Sequence, residues 1–382
     1  MNLLSILNLP LTTAVFYALP FLVALLVIVF VHEFGHFIVA RWCGVKVEAF
    51  SIGFGKEITG WYDRHGTRWK LCWVPLGGYV KFHGDANAAS LPDANAVELA
   101  RNEPGSFHGK PVWQRTAIVA AGPVANFLLA IAIFAVAFAF VGVPVTEPRV
   151  DEVLAGSAAE RAGLQKGDLV LSVDGQAIKS FAELQQAIVT RANEQMVIVV
   201  DRGGSHATIT AVPDLKEEPD GFGGKFRIGL LGIKHDENAD TRIETYGPVD
   251  SVIKGADRTW FIVTTTFKYL GKLVTGRESA DQLGGPIAMA KAAGDAAANG
   301  VFQFISVIGF LSVSIGLINL FPIPMLDGGH LVYYAIEALR GKPLGQNAQE
   351  WGIRVGFSLV IMLMLVGTWN DVTRLVTMAF GG

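Results

Sequence analysis

No side chain from Met1 to Val31 is ionisable except Tyr17, and the apolar run Val15–Val31 leads straight into His32-Glu33-Phe34-Gly35-His36. As a helix, such a run spans the ~30 Å hydrocarbon core of a bilayer. On that helix His32 and His36 lie one turn apart on one face, where both imidazoles can bind one metal ion. Glu33 sits beside them as a general base toward an attacking water. Two histidines and a carboxylate at the end of a span are costly unless they serve a site. The run is not read as a cleaved leader, because it lacks a basic n-region and carries the chemistry at its end.

The rest of the 382-residue chain agrees with a membrane protein. Charged residues make up 17% of it, against roughly 25% in a soluble domain. A net charge of −3 gives no sign of a nucleic-acid partner. The two cysteines, Cys43 and Cys72, are too few for a four-cysteine zinc site and read as free thiols in a reducing compartment.

Four segments, roughly 12–35, 116–142, 303–323 and 355–377, are long and apolar enough to span. No basic residue precedes Arg41, whereas the following loop carries Arg41, Lys46, Lys56, Arg64, Arg68, Lys70, Lys81, Arg101, Lys110 and Arg115. Arg340, Lys342 and Arg354 lie between spans three and four. By the positive-inside rule both loops are cytoplasmic, and the segment 145–300 is external. Spans one and three then run in the same direction. The histidine motif closes the first, and Leu326-Asp327-Gly328-Gly329 closes the third. Catalytic zinc held by two histidines needs a third protein ligand and an open position for water. Asp327 is the acidic residue at matching depth and is the expected third ligand. His330 is a weaker candidate, read as a polar residue near the interface.

Pro322 and Pro324 break span three just ahead of Asp327, leaving irregular backbone beside the expected site. In span two, Gly122-Pro123-Val124-Ala125-Asn126 is read mainly as a helix-packing surface around the metal-binding helix. In the basic loop, Phe50–Gly55 and Trp73–Lys81 are expected as short strands with glycine turns. Such a hairpin could lend an edge to an extended peptide, or be an ordinary cytosolic hairpin.

Externally, Arg149–Leu154, Leu169–Val173, Gln195–Val200 and Ala207–Val212 read as strands, and Phe181–Val189 as a helix. The series resembles a PDZ domain, which binds a peptide C-terminus by strand addition. Phe226–Ile233, with Leu230 and Ile233, is expected to supply the carboxylate-binding loop and first strand in circularly permuted order. Trp260–Val274, broken by Lys268 and Lys272, reads as a surface-lying amphipathic helix.

In order and together, His32-Glu33-Phe34-Gly35-His36, Gly53-Phe54-Gly55, Pro75–Lys81, Gly122–Asn126, the PDZ-like series, Gly284-Gly285-Pro286-Ile287 and Asn319–Gly329 resemble the site-2 protease family of intramembrane zinc metalloproteases. The nearest branch is the bacterial regulator-of-sigma-E protease type. The resemblance implies a Zn2+ cofactor and cleavage of a single-pass membrane protein, typically an anti-sigma factor already trimmed outside. It further implies that Asn319 contacts substrate backbone and that the hairpin, with Gly53, Gly55, Gly77 and Gly78, pairs with the substrate strand. Familiar members carry two PDZ modules, and one is found here.

The expected architecture is a polytopic α-helical membrane protein with four transmembrane helices, an inserted α+β PDZ-like domain and a cytoplasmic β-hairpin loop. Its divisions are span one with the histidine motif (1–44), the cytoplasmic loop (45–112), span two (113–144), the PDZ-like domain (145–236), an amphipathic helical segment (237–300), span three (301–330), a second cytoplasmic loop (331–354) and span four (355–382). The expected location is a bacterial inner membrane, with the active site near the cytoplasmic face and the PDZ-like domain in the periplasm. Two rival readings are a membrane-anchored PDZ receptor with an inactive metal site, and an anchored protease of soluble substrates. The intact histidine motif with Asp327 weighs against the first, and the placement of the site at span ends weighs against the second.

Overall fold

The computed structural model describes residues 11–84, 103–219, 225–235, 242–276 and 284–380; Arg101, and the parts of the expected divisions between these ranges, lie outside them. In chain order the helices are α1 (Leu11–Trp42), α2 (Val112–Phe140), α3 (Ala158–Ala162), α4 (Phe181–Val189), α5 (Pro248–Val274), α6 (Pro286–Asn299), α7 (Val301–Leu320), α8 (Asp327–Arg340) and α9 (Gln346–Phe380). The strands are β1 (Val47–Tyr62), β2 (Arg68–Phe82), β3 (Val143–Val145), β4 (Glu152–Val153), β5 (Leu169–Val173), β6 (Gln176–Ala177), β7 (Met196–Arg202), β8 (Ser205–Ala211), β9 (Asp214–Pro219), β10 (Lys225–Leu230), β11 (Ile233–Lys234) and β12 (Arg242–Glu244). They fall into two units, one of residues 1–137, 250–271 and 283–371, the other of residues 138–249, 272–282 and 372–382.

Among the described residues of the chain, four helices are long and apolar enough to cross a membrane: Val15–Trp42, Val112–Phe140, Val301–Leu320 and Asn347–Thr377. In the first unit, small residues let these helices approach backbone to backbone, which is how spans associate where lipid is as apolar as the partner helix. A Cβ on Gly35 of α1 would press on the Ala121 carbonyl and Ala125 of α2. Gly316 of α7 faces Asn126 and Pro123 of α2 in the same way. The alanine-rich α6 packs on the first half of α1, where Gly294 accommodates the Tyr17 ring. Three backbone N–H groups at the start of α6, those of Gly285, Ile287 and Ala288, donate to the carboxylate of Asp371 on α9 at 2.9, 2.9 and 3.1 Å.

The histidine motif does not end its helix, since α1 continues to Trp42. Beyond it the loop strands are long rather than short. β1 and β2 have 16 and 15 residues and pair antiparallel. The register doubles back: Ala49–Ile52 face Gly78–Lys81 and also Arg68–Leu71, while Glu57–Tyr62 lie outside Arg68–Cys72. The glycines expected at turns are the folds of this ribbon, with Gly53 and Gly55 at φ 85° and 86° and Gly77 at 153°. Such angles cost a side chain dearly and glycine little. The far turn is tied to the end of α1, where Arg41 meets Asp63 at 2.5 Å. Burial alone would raise the Asp63 pKa, but N–H donors from Thr67, His65 and Trp69, together with Arg41, hold it down at about 2.

The second unit is strand-rich. A four-stranded sheet in the order β6-β5-β7-β8 packs its Val170, Val173, Ile198 and Val200 against Leu184 and Ile188 of α4. β5 and α4 fall where the alternation and the helical period put them. Of the expected strand Arg149–Leu154, only β4 and an Arg149–Leu169 bridge form. β4 pairs with β11, whereas β10 pairs with β9, a charged strand not expected from its composition. Ser157 and Ser180 cap α3 and α4 by accepting from the N–H three residues on. Asp168 is fully buried. Burial raises its pKa, and this is outweighed by two bonds from Arg202 and one from the Gln165 N–H, which hold it below the usual carboxylate range.

Candidate metal centre

Three elements of the first unit bring the site together. His32, Gly35 and His36 share one face of α1 because three- and four-residue steps return to the same side of a helix. That face lies against α2 at Gly122, where a Cβ would strike both imidazoles. Asp327 arrives on a different kind of support. α7 stops at Leu320, the proline-containing turn 321–326 follows, and Asp327 opens α8. Gly328 and Gly329 let the turn fold down on α8, since a Cβ on either would meet the backbone of residues 320–324. Met325 is held at φ 97°, a strained angle for a side chain and of the kind found at functional sites.

The donor atoms converge. Nε2 of His32 and Nε2 of His36 are 3.2 Å apart, and Oδ2 of Asp327 lies 3.1 and 3.5 Å from them. Tetrahedral ligands at zinc distances stand about 3.3 Å apart, so this triangle fits one such ion. Asp327 Oδ2 is buried and faces the two imidazole nitrogens, as suits an oxygen kept for a metal. Two nitrogen donors and one carboxylate form a donor set for zinc that leaves a fourth position open. The two rings are oriented from outside: His36 Nδ1 lies 2.9 Å from the Ile118 carbonyl, and His32 Nδ1 lies 3.2 Å from the side-chain amide of Asn126.

Glu33, next to His32 on α1, is half-buried and turned toward the hairpin. The Val80 backbone faces its carboxylate, and a Cβ on Gly78 would stand 3.1 Å from its Cγ. The carboxylate thus lies between the hairpin backbone and the triangle. His330 lies on the first turn of α8 with its ring edge-on to Tyr333, outside the three-residue group. Asn319 is half-buried on the last turn of α7, and among the described residues its amide has no hydrogen-bond partner. Gly53, Gly55, Gly77 and Gly78 belong to the folded hairpin, while Leu230 and Ile233 flank Leu231-Gly232 in the other unit. The contact of Asn126 with His32 was missed in the sequence. A lone amide in a charge-free span, which is expensive to bury unpaired, is the signal that points to it.

A span-borne pair of histidines, a carboxylate completing the triangle and a second carboxylate alongside define a membrane metalloprotease. The model of peptidase family M50 matches residues 20–363. The chain is 49% identical over 363 residues to a protein of Rhizobium meliloti provisionally named a zinc metalloprotease, covering 94% of this chain and 97% of that one. A similarly named protein of Agrobacterium fabrum is 46% identical, covering 94% and 96%. Metalloprotease MmpA of Caulobacter vibrioides is 41% identical over 377 residues, covering 92% and 94%. The chain belongs to peptidase family M50, the site-2 protease family, and is a multi-pass membrane zinc metalloprotease.

Proposed function

We propose that the protein hydrolyses a peptide bond in or near the membrane-spanning segment of a single-pass membrane protein. His32, His36 and Asp327 hold the zinc, and Glu33 acts as general base. The observation that carries this reading is the convergence of two imidazoles and one carboxylate within 3.5 Å, with Glu33 alongside. Bound there, zinc supplies a Lewis acid for the scissile carbonyl and lowers the pKa of water toward ~7. Glu33 takes the proton of the attacking water and passes it to the leaving amine. The hairpin backbone at Gly78 and Val80 packs against its side chain and limits where the carboxylate can go.

A helical substrate hides its amides, so the substrate must be extended where it is cut. The ribbon Gly78–Lys81 borders the site beside Glu33, and a substrate strand laid along this hairpin edge, with Gly53, Gly55 and Gly77 shaping the fold, would be held in register. The Asn319 amide is available to the same backbone. In this reading the substrate is a pre-trimmed anti-sigma factor cut in regulated intramembrane proteolysis. The basic loops and the site lie on the cytoplasmic side of a bacterial inner membrane, and the strand-rich unit lies in the periplasm.

That unit is read as a permuted PDZ-like module that gates access. The carbonyls of Leu231 and Gly232 accept from the N–H groups of Ala159 and Leu154, which anchors the loop between Leu230 and Ile233 from within. Such anchoring suits a loop that presents its outer side to a terminal carboxylate.

Two measurements on purified protein test the reading. Wild type should bind one zinc, and Asp327→Ala should lose it; an Asp327→Ala variant that keeps a full zinc complement refutes the ligand set. In vesicles, wild type should cleave a single-pass protein only once its outer domain is removed, and Ile233→Asp should cleave the untrimmed form as well. Slower cleavage of the trimmed form by Ile233→Asp would make the module a docking site, and unchanged selectivity would leave it without a part in selection.

A further inference from the structure

Asn126 is fully buried in the middle of α2, yet neither packing nor helix formation calls for an amide there. Its surroundings fix it on two sides. Ser312 of α7 donates to its backbone carbonyl at 2.8 Å, and Gly316 allows α7 to press on its Cβ. The amide nitrogen lies 3.2 Å from Nδ1 of His32, and Oδ1 is buried with no partner among the described residues. A half-turn of the amide about its last side-chain torsion exchanges these two atoms with almost no change of shape.

The two orientations have opposite consequences for the ring. With the NH2 group facing Nδ1, the ring nitrogen must accept, so the ring proton sits on Nε2 and blocks the lone pair aimed at Asp327. With Oδ1 facing Nδ1, the ring donates from Nδ1, and the Nε2 lone pair is free for a metal. Only the second is compatible with ligation. His36 has its answer built into the backbone, because the Ile118 carbonyl 2.9 Å from its Nδ1 can only accept. Among the described residues His32 has no such carbonyl on its Nδ1 side; the amide stands in its place.

We propose that Asn126 is a positioning residue for the zinc site: its Oδ1 accepts from Nδ1–H of His32 and holds that ring in the tautomer and orientation that ligate. The proposal rests on the reading of His32 as a ligand. Partners of this kind behind a metal-bound imidazole are generally worth 10–100-fold in metal affinity.

The test is a zinc affinity measured by chelator competition on detergent-solubilised protein, beside the melting temperature of the metal-free form. Asn126→Leu keeps the shape and removes the acceptor, and it should bind zinc about 10–100-fold more weakly. Asn126→Asp restores an acceptor and should bind close to wild type. Should the leucine variant not fold, Asn126→Ala, which adds no bulk, is measured in its stead. Wild-type affinity in the variant lacking an acceptor overturns the proposal, as does a loss in Asn126→Asp equal to that in Asn126→Leu. His32→Ala separates this from the underlying reading. If His32→Ala retains zinc, the ligand assignment fails; if it loses zinc while Asn126→Leu binds normally, only the role of Asn126 fails.

Discussion

The two sides of the metal centre are built by opposite means. On one side, His32, Glu33 and His36 ride on an uninterrupted helix whose 3.6-residue period alone sets their spacing. On the other, Asp327 follows a stretch where the regular backbone fails. Two prolines remove N–H donors, Met325 takes a left-handed angle, and two glycines are needed so that the chain can fold over itself. The helical side is held by its own hydrogen bonds. The broken side needs external struts, and one is visible: Arg115 of α2 donates to both carboxylate oxygens of Glu337 on α8, at 3.1 and 2.6 Å. Placement by local rules and placement by tertiary restraint therefore meet at one triangle of atoms, and they should respond differently to damage.

The sharpest separation comes from Glu33→Gln. This exchange leaves the α1 scaffold and all three proposed ligands intact while removing the base. Hydrolysis should fall by about 10²–10⁴-fold with zinc content unchanged. Turnover near wild type, or loss of zinc, would each contradict the division between base and ligands. A second experiment attacks the broken side. Glu337→Leu strands the buried Arg115 charge and should cost roughly 3–5 kcal/mol, with weaker zinc binding as α8 loses its anchor. Replacing the pair together by apolar residues should recover most of the stability. Should it recover the stability without the zinc affinity, the strut serves the position of Asp327 rather than the fold.

The smallest effect is expected at the hairpin, next to the helical side. Asp63 has its pKa lowered from the usual 3.8 to about 2, so its contribution to stability is present above pH 3.8 and is lost as pH falls through 2. Metal-free Asp63→Asn should melt slightly below metal-free wild type at neutral pH, and the gap should close near pH 2. A gap that persists there would mean that Arg41 and the turn are held by something other than this carboxylate.

The same contrast explains what could be read from the chain alone. Long apolar runs mark the four long helices, the fourth interrupted near its end by Asp371 and Arg374, because a bilayer demands length and apolarity, which are local properties. The histidine spacing is local too. Asp327 is not local, and it could be reached only by matching membrane depth across nearly the whole chain. Asn126 looks like packing in a span because its partner lies on another helix. The doubled register of β1 and β2 was equally hidden: the glycine positions show where the ribbon bends, but not that Ala49–Ile52 would be sandwiched between two runs of β2. In the second unit, β9 is rich in charge and pairs for tertiary reasons that its sequence does not announce.

The carboxylate of Asp371 has a consequence for the order in which the chain matures. It satisfies the opening N–H groups of α6, a helix laid down more than eighty residues earlier in synthesis. Until α9 emerges and docks, those donors lack their acceptor, and α6 has no finished start against α1. Closing the bundle thus waits for the fourth of the described spans. A nascent chain stalled before residue 371 would carry the histidines and Asp327 in a bundle still able to breathe, so a young protease in the membrane stays unlatched until α9 is in place.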